Sequence, residues 1–267
     1  MKKIVLVFVV MVGGAQAWAE APVFNNITKS ALETIVGEFT ANAFHTTVSP
    51  LTGSKKALLG FAGAEAGIIG GATRVPGIGS STVSTKGLDH IYHFGLFALL
   101  NLPYGITPEI SFLPPLELGK IEINYYGGAL RWNVTDVFLK FLPFNFGARL
   151  HFSKPSLEFI QPISGVNVTV KFEDTIWGGS LALSKKIVFI EPYVGVGFIQ
   201  GDGDLSISGT GTFFNTEVTT AQSASASQTD AHLYAGLQFT TLLLGIGAEY
   251  SRVFDTDRLT GKLSVRF

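Results

Sequence analysis

The sequence predicts an all-β protein: a transmembrane, antiparallel, up-and-down β-barrel of about ten strands (range eight to twelve), with a short N-terminal helical segment. Three observations predict it. Arg258–Phe267 alternates without a slip, with Leu259, Gly261, Leu263, Val265 and Phe267 on one face and Arg258, Thr260, Lys262, Ser264 and Arg266 on the other. That is the period of a strand with one apolar and one strongly polar side. Charged residues make up only 15% of the chain, against about 25% in an average soluble domain. Mean hydropathy is nevertheless +0.36, and no stretch after the N-terminus approaches the ~18 consecutive apolar residues of a spanning helix. Apolar residues must therefore be spread over strands that face something other than water. Finally, the polar faces of the alternating segments hold Gly, Asn, Ser, Thr and a few mixed charges. This suits a barrel interior better than the outside of a soluble sandwich. The 31 Gly and 22 Phe fit close strand packing and aromatic girdles.

The elements follow in order. Met1-Lys2-Lys3, the apolar run Ile4–Val12 and the small residues around Ala15–Ala19 form the three parts of a secretory signal peptide, placed at 1–19. Residues 20–55 stand apart as an N-terminal periplasmic or plug segment, and 56–267 form the barrel. Ser30-Ala-Leu-Glu33 has capping-box spacing, and Leu32, Ile35, Val36 and Phe39 share one face of the helix that follows. That face is covered either against the barrel mouth or inside the lumen, where the segment would resemble the plug of the fatty-acid transporter family. Ten strands are expected at 57–74, 91–102, 118–133, 143–153, 165–173, 175–185, 187–207, 230–240, 242–252 and 258–267. Alternation through Ile121–Val134 is read with a slip, as a bulge at Gly127-Gly128. Lys185-Lys186 and Thr240-Thr241 are short periplasmic turns, while Pro76–Asp89 and Ser208–Thr229 are long outer loops. Pro103–Glu117 and Lys154–Ser164 are too long for periplasmic turns, and either can hide a further strand.

A strand that ends the chain on Phe267 resembles the closing strand of Gram-negative outer-membrane β-barrels, in which the C-terminal Phe is part of the assembly signal. The resemblance implies the outer membrane of a Gram-negative bacterium. It also implies outer-membrane lipid, lipopolysaccharide and the barrel-assembly machinery as partners. Asn101-Leu-Pro-Tyr-Gly105 and Glu191-Pro-Tyr-Val-Gly-Val-Gly197 are similar to an uncharacterised family of small proteobacterial barrels. That likeness implies no activity.

Several chemistries are disfavoured. The chain has no cysteine and a net charge of -1, which excludes disulfides and gives no sign of a nucleic-acid partner. His151 and Ser153 lie two apart on one strand beside Arg149, a spacing that superficially resembles the His-x-Ser of lipid A deacylases. The following Lys-Pro departs from that pattern, and the pair faces the lumen rather than lipid. Asp202 with Asp204, and Asp255 with Asp257, are read as turn chemistry at outer rims, with a divalent-cation site as the sharper alternative. His45, His90, His93 and His232 show no metal-ligand spacing. No cofactor, no metal site and no enzymatic activity are expected.

The inward-facing residues inferred from alternation are Glu122, Arg131, Arg149, His151, Lys171, Glu173, Glu191, Glu249, Lys262 and Arg266. Their signs are balanced, as in a cross-lumen salt-bridge network rather than a one-sign selectivity ring. Barrels of this strand number are narrow, whereas open aqueous channels need about 16 strands. The leading functional expectation is a narrow channel or passage for small solutes, hydrophobic ones among them. A structural or surface-interaction barrel acting through its outer loops is the alternative, and a lipid-modifying outer-membrane enzyme comes last.

Overall fold

The computed structural model describes residues 29–51, 62–81, 89–118, 121–138, 141–163, 166–213, 216–241 and 243–267. The expected signal peptide and the start of the first expected strand lie outside the described residues. Helix α1 (Lys29–Ala43) comes first, followed by strand β1 (Gly63–Arg74) and a short helix α2 (Pro76–Ser81). Then come β2 (His90–Asn101), β3 (Ile106–Leu118), β4 (Ile121–Asn133), β5 (Asn145–Ile163), β6 (Val166–Ser184), β7 (Ile190–Phe213), β8 (Thr216–Thr240), β9 (Leu244–Val253) and β10 (Thr256–Arg266). Each strand pairs antiparallel with its sequence neighbour, and β1 closes on β10, giving a closed ten-stranded barrel. Closure leaves no free edge along the paired length. The chain's last residue takes part, because Ala64 and Phe267 exchange backbone hydrogen bonds at 2.8 and 3.0 Å. Among the described residues, no helix is long and apolar enough to cross a membrane.

The strand count matches the sequence reading, but the map differs. Pro103–Glu117 contains β3, and the expected strands 165–173 and 175–185 are one strand, β6. Lys154–Ser164 is mostly β5, and Ser208–Thr229 is not a loop but the upper parts of β7 and β8. The β4–β5 register runs unbroken through Gly127 and Gly128. The bulge lies instead on β3, between Leu113 and Leu116, where Pro114 and Pro115 cannot donate to a ladder.

The Asn101–Gly105 motif builds the tight β2–β3 connection. Tyr104 and Gly105 both have positive φ, 64° and 72°. A Cβ on Gly105 would meet the Asn133 carbonyl oxygen at 2.3 Å, so only glycine closes this turn without strain. In the second motif, inward Tyr193 sits opposite Gly236 and inward Tyr234 opposite Gly195. Each ring lies over the facing glycine, where an added Cβ would come within 2.1–2.2 Å of the phenol carbon. The two glycines are the space that the two rings occupy.

The wall has two zones of opposite polarity. Take the end carrying Phe267 as the near end. Along β5 the outward residues are Phe146, Ala148, Leu150 and Phe152, followed farther up by Lys154, Ser156 and Glu158. The inward ones are Gly147, Arg149, His151 and Ser153, followed by Pro155, Leu157 and Phe159. β6 repeats the switch, with Trp177, Leu181 and Leu183 outward in the near half and Lys171 and Glu173 outward in the far half. The near half therefore wears an apolar belt around a polar lumen, as a lipid-embedded barrel must. The far half is apolar inside and polar outside, as a water-soluble barrel is.

Helix α1 explains the far half. Leu32, Ile35, Val36 and Phe39 are buried in one cluster with Ile78, Ile91, Phe159, Val170, Phe172 and Leu205. Phe39 meets Phe172 edge-on with ring centroids 4.6 Å apart. At about 1.5–3 kcal/mol per buried large side chain, this cluster anchors the helix inside the barrel.

Candidate functional site

The lumen is occupied by the chain's own N-terminal segment. After α1, residues Phe44–Leu51 continue through the near half, all but Ser49 buried. The wall holds this backbone by its carbonyls. Ser153 Oγ donates to the Ala43 oxygen at 3.1 Å, Arg258 to the Phe44 oxygen at 3.1 Å, and Arg131 to the Ser49 and Pro50 oxygens at 2.8 Å. An extended stretch away from any ladder needs such partners, because an unpaired buried carbonyl is costly.

Two charge clusters lock the segment lower down. Glu109 receives Arg149 at 2.9 Å, Arg131 at 3.4 Å and His45 at 3.4 Å, and Thr47 Oγ1 donates to it at 3.0 Å. Glu65 receives Lys262 at 2.8 Å and Arg266 at 3.4 Å, while Lys262 also donates to Ser49 and Gln238. Glu249 accepts from Thr46 and from Tyr193. Buried ions need both countercharge and hydrogen bonds to offset lost hydration, and each cluster supplies both.

At the far end, the Glu38 carboxylate accepts the backbone N–H groups of Gly77 and Ile78, the latter at 2.7 Å. Burial raises its pKa above the usual carboxylate range, and the two N–H donors only partly oppose that. The docked state therefore holds this proton more tightly than the free chain does. Docking of α1 on α2 strengthens as pH falls through the raised pKa and weakens above it. Glu38→Gln is expected to remove that dependence, read as amide protection factors at Gly77 and Ile78 across pH 4–8 (about the carboxylate range and just above).

Beside the segment, next to β2, lies an apolar pocket of about 80 Å³. Phe39, Phe44, Ile69 and Leu157 line its inner side, and Arg258, His93, Asn42 and Tyr125 bring polar groups to it. Tyr92 and Phe94, which point outward from β2, also line it, together with Leu113 and Ile123. The pocket therefore reaches through the wall. The register shows why. β2 and β3 pair only from Leu96 with Phe112 to Leu99 with Glu109, and beyond Phe112 the Leu113–Leu116 irregularity with its two prolines takes β3 out of that ladder.

Residues 19–256 match the family model described as "Family of unknown function (DUF6588)". The chain belongs to the DUF6588 family. No curated protein matches the sequence. Among solved structures, the chain is similar to Ail, the attachment invasion locus protein of Yersinia pestis, at 14% identity and TM-score 0.31, covering 76% of this chain and 99% of Ail. The N-terminal β-barrel domain of Pseudomonas aeruginosa OprF gives 13% identity and TM-score 0.29, covering 77% and 97%. The P. putida toluene transporter TodX gives 9% identity and TM-score 0.32, covering 85% and 92%. At these values the likeness concerns the barrel alone.

In this DUF6588 chain, Arg131, Arg149, His151, Glu191, Glu249, Lys262 and Arg266 point into the barrel. Three other residues expected there do not. Lys171 and Glu173 face outward in the far half and pair with each other at 3.1 Å, because the polarity of the wall has reversed at their level. Glu122 shares the outward face of Tyr126, Leu130 and Trp132, since β4 carries no bulge to bring it inside. The structure adds Glu65, Glu109, His45 and Arg258, all 3% exposed or less. Arg258 was visible on the polar face of the last strand. Glu65 sits in a Gly/Ala run with no polar contrast, and Glu109 sits in a stretch with four prolines.

His151 and Ser153 share the inward face, but Ser153 donates to the Ala43 carbonyl and His151 lies against Phe44, ring centroids 6.0 Å apart. Asp202 accepts from Gln200 on the same outward face. Among the described residues no group of three or more His, Asp or Glu side chains is arranged to hold a metal.

Proposed function

We propose that this protein is an outer-membrane barrel of a Gram-negative bacterium that admits small apolar solutes by a narrow route, with residues 29–51 as its movable stopper. The observation that carries this is the pocket: lumen space left beside the internal segment is apolar and communicates with the outside of the wall at the β2–β3 seam. The near lumen, closed by the Glu109 and Glu65 clusters, fits no open aqueous pore. The apolar belt supports contact with outer-membrane lipid and lipopolysaccharide, and Phe267 at the end of β10 supports handling by the barrel-assembly machinery.

The stopper can be tested with a lock. A Cβ on Gly201 would lie 3.0 Å from Thr40 Cβ, close to the ~3.5–4.5 Å that a disulfide spans, and the chain has no other cysteine. Oxidised Thr40→Cys/Gly201→Cys protein in liposomes is expected to lose uptake of a small aromatic hydrocarbon, and reduction is expected to restore it. Equal uptake in both redox states refutes the stopper.

A surface-interaction role has its own observation. β8 pairs with β9 only between Leu233 and Thr240, so its far part stands above β9 with one edge unpaired. Shortening the β7–β8 hairpin by residues 208–229 is expected to leave uptake intact and to abolish any surface binding.

A further inference from the structure

We infer that the β2–β3 seam is a side entrance and binding site for a single-chain amphiphile with a carboxylate head, held with its head on Arg258 and its chain directed outward between Tyr92, Phe94, Leu113 and Ile123. This deepens the passage reading above and rests on it. Three observations converge. The first is the wall itself. Every other neighbouring pair is laddered along most of the shorter strand, yet β2 loses β3 above Leu96. The cause is written in the sequence as Leu113-Pro-Pro-Leu116, a segment that cannot supply consecutive N–H donors.

The second is the lining. An opening at the level of outward Tyr92 and Phe94, above the last laddered pair Leu96–Phe112, lies in the aromatic zone that borders the belt. A solute dissolved in lipid meets it without crossing water. The cavity behind it, at about 80 Å³, is several times the ~10–15 Å³ that one water requires, and its walls are mainly apolar.

The third is charge. Arg258 is 2% exposed and lines the pocket. Its Nε and Nη1 are engaged with His93 and the Phe44 carbonyl, and its guanidinium lies 4.1 Å from the Phe44 ring centroid. Arg131, Arg149, Lys262 and Arg266 each contact a lumen carboxylate, but no ion pair among the described residues includes Arg258. A buried guanidinium with no carboxylate within ion-pair distance among the described residues, Glu249 acting on it only from farther off, at the inner end of an apolar slot, is complementary to an anionic head with an alkyl chain.

The test uses the full mature chain in nanodiscs of zwitterionic phospholipid, with a diazirine-bearing hexadecanoate as the photoprobe. Labelling is expected on peptides 90–101 and 106–133. Unlabelled hexadecanoate is expected to compete about tenfold better than hexadecanol, the scale of one charge-assisted contact. Arg258→Met should keep the labelled peptides but reduce that preference to about twofold or less. Leu113→Trp, which fills the slot and leaves Arg258 in place, should abolish labelling. Folding of both variants is checked by the heat-dependent gel shift. Even labelling around the barrel, labelling that survives Leu113→Trp, or an acid preference unchanged in Arg258→Met overturns the proposal. If the cysteine lock stops hydrocarbon uptake while the seam stays unlabelled, the side entrance fails and the passage stands. If the seam labels as described and the lock has no effect on uptake, the binding site stands and the passage fails.

Discussion

Glu109→Gln is expected to cost the barrel about 3–5 kcal/mol, the largest single-residue effect in the lumen. The carboxylate is fully buried and contacts Arg131, Arg149 and His45 within 3.4 Å. Removing its charge leaves two guanidiniums in the interior without their counterion, and the remaining lumen carboxylates are committed elsewhere. Glu65 is held by Lys262 and Ser264, and Glu249 by Tyr193 and Thr46. Thr47 would also lose a charged acceptor, so the internal segment loosens with the wall. The temperature at which the folded band disappears in a heat-modifiable gel assay should fall steeply. Replacing Glu158, which faces outward on β5, should leave it within the scatter of wild type. A Glu109→Gln barrel as heat-resistant as wild type refutes the role assigned to this cluster.

The second large effect tests the reversal of polarity on a single strand. Leu150 and Glu158 point outward from the same face of β5, eight residues apart, and Leu150 is 66% exposed. In a bilayer, Leu150→Arg is expected to cost about 2–4 kcal/mol, since a charge on the lipid face near the midplane is expensive. Glu158→Arg is expected to cost less than about 0.5 kcal/mol, as for an ordinary water-exposed site. Urea titrations of both variants refolded into the same lipid give the comparison. Equal costs would mean that the belt extends past Lys154 or stops short of Leu150.

The last strand was legible because its faces differ in chemistry: Lys262 and Arg266 could not face lipid, so Leu263 and Val265 had to. The same logic misplaced Lys171 and Glu173. It takes polar as inward along the whole strand, and that equation holds only where the outside is lipid. Where the outside is water and the inside is α1, Val170 and Phe172 turn in and the charges turn out. The far parts of β7 and β8 were hidden for a related reason. Ser208–Thr212 and Gln222–Gln228 hold only Gly, Ala, Ser, Thr and Gln, so alternation leaves no trace although the ladder runs on. β3 was obscured by its prolines, which are tolerated because the lost donors fall where β2 has already parted from it. Arg258 could be read from the sequence as a lumen cation. That no described carboxylate comes within ion-pair distance of it is a property of three-dimensional neighbours and could not be.

The apolar belt also fixes how thick a membrane this protein accepts. Its outward run is Phe146–Phe152 on β5 and Trp177–Leu183 on β6, six residue steps between first and last side chain, and Tyr92–Leu100 on β2 and Leu259–Phe267 on β10, eight steps. At ~3.3 Å per residue and a tilt of about 40°, that is roughly 15–20 Å of vertical rise, before the side chains themselves extend it. Such a ring mismatches a bilayer of ordinary ~30 Å hydrocarbon thickness and suits a thin one. In thicker lipid the membrane must pinch toward Phe152 and Trp177 or the charged collar at Lys154, Lys171 and Glu173 must be drawn into hydrocarbon. A preference for thin lipid is thus carried in the length of the strands themselves.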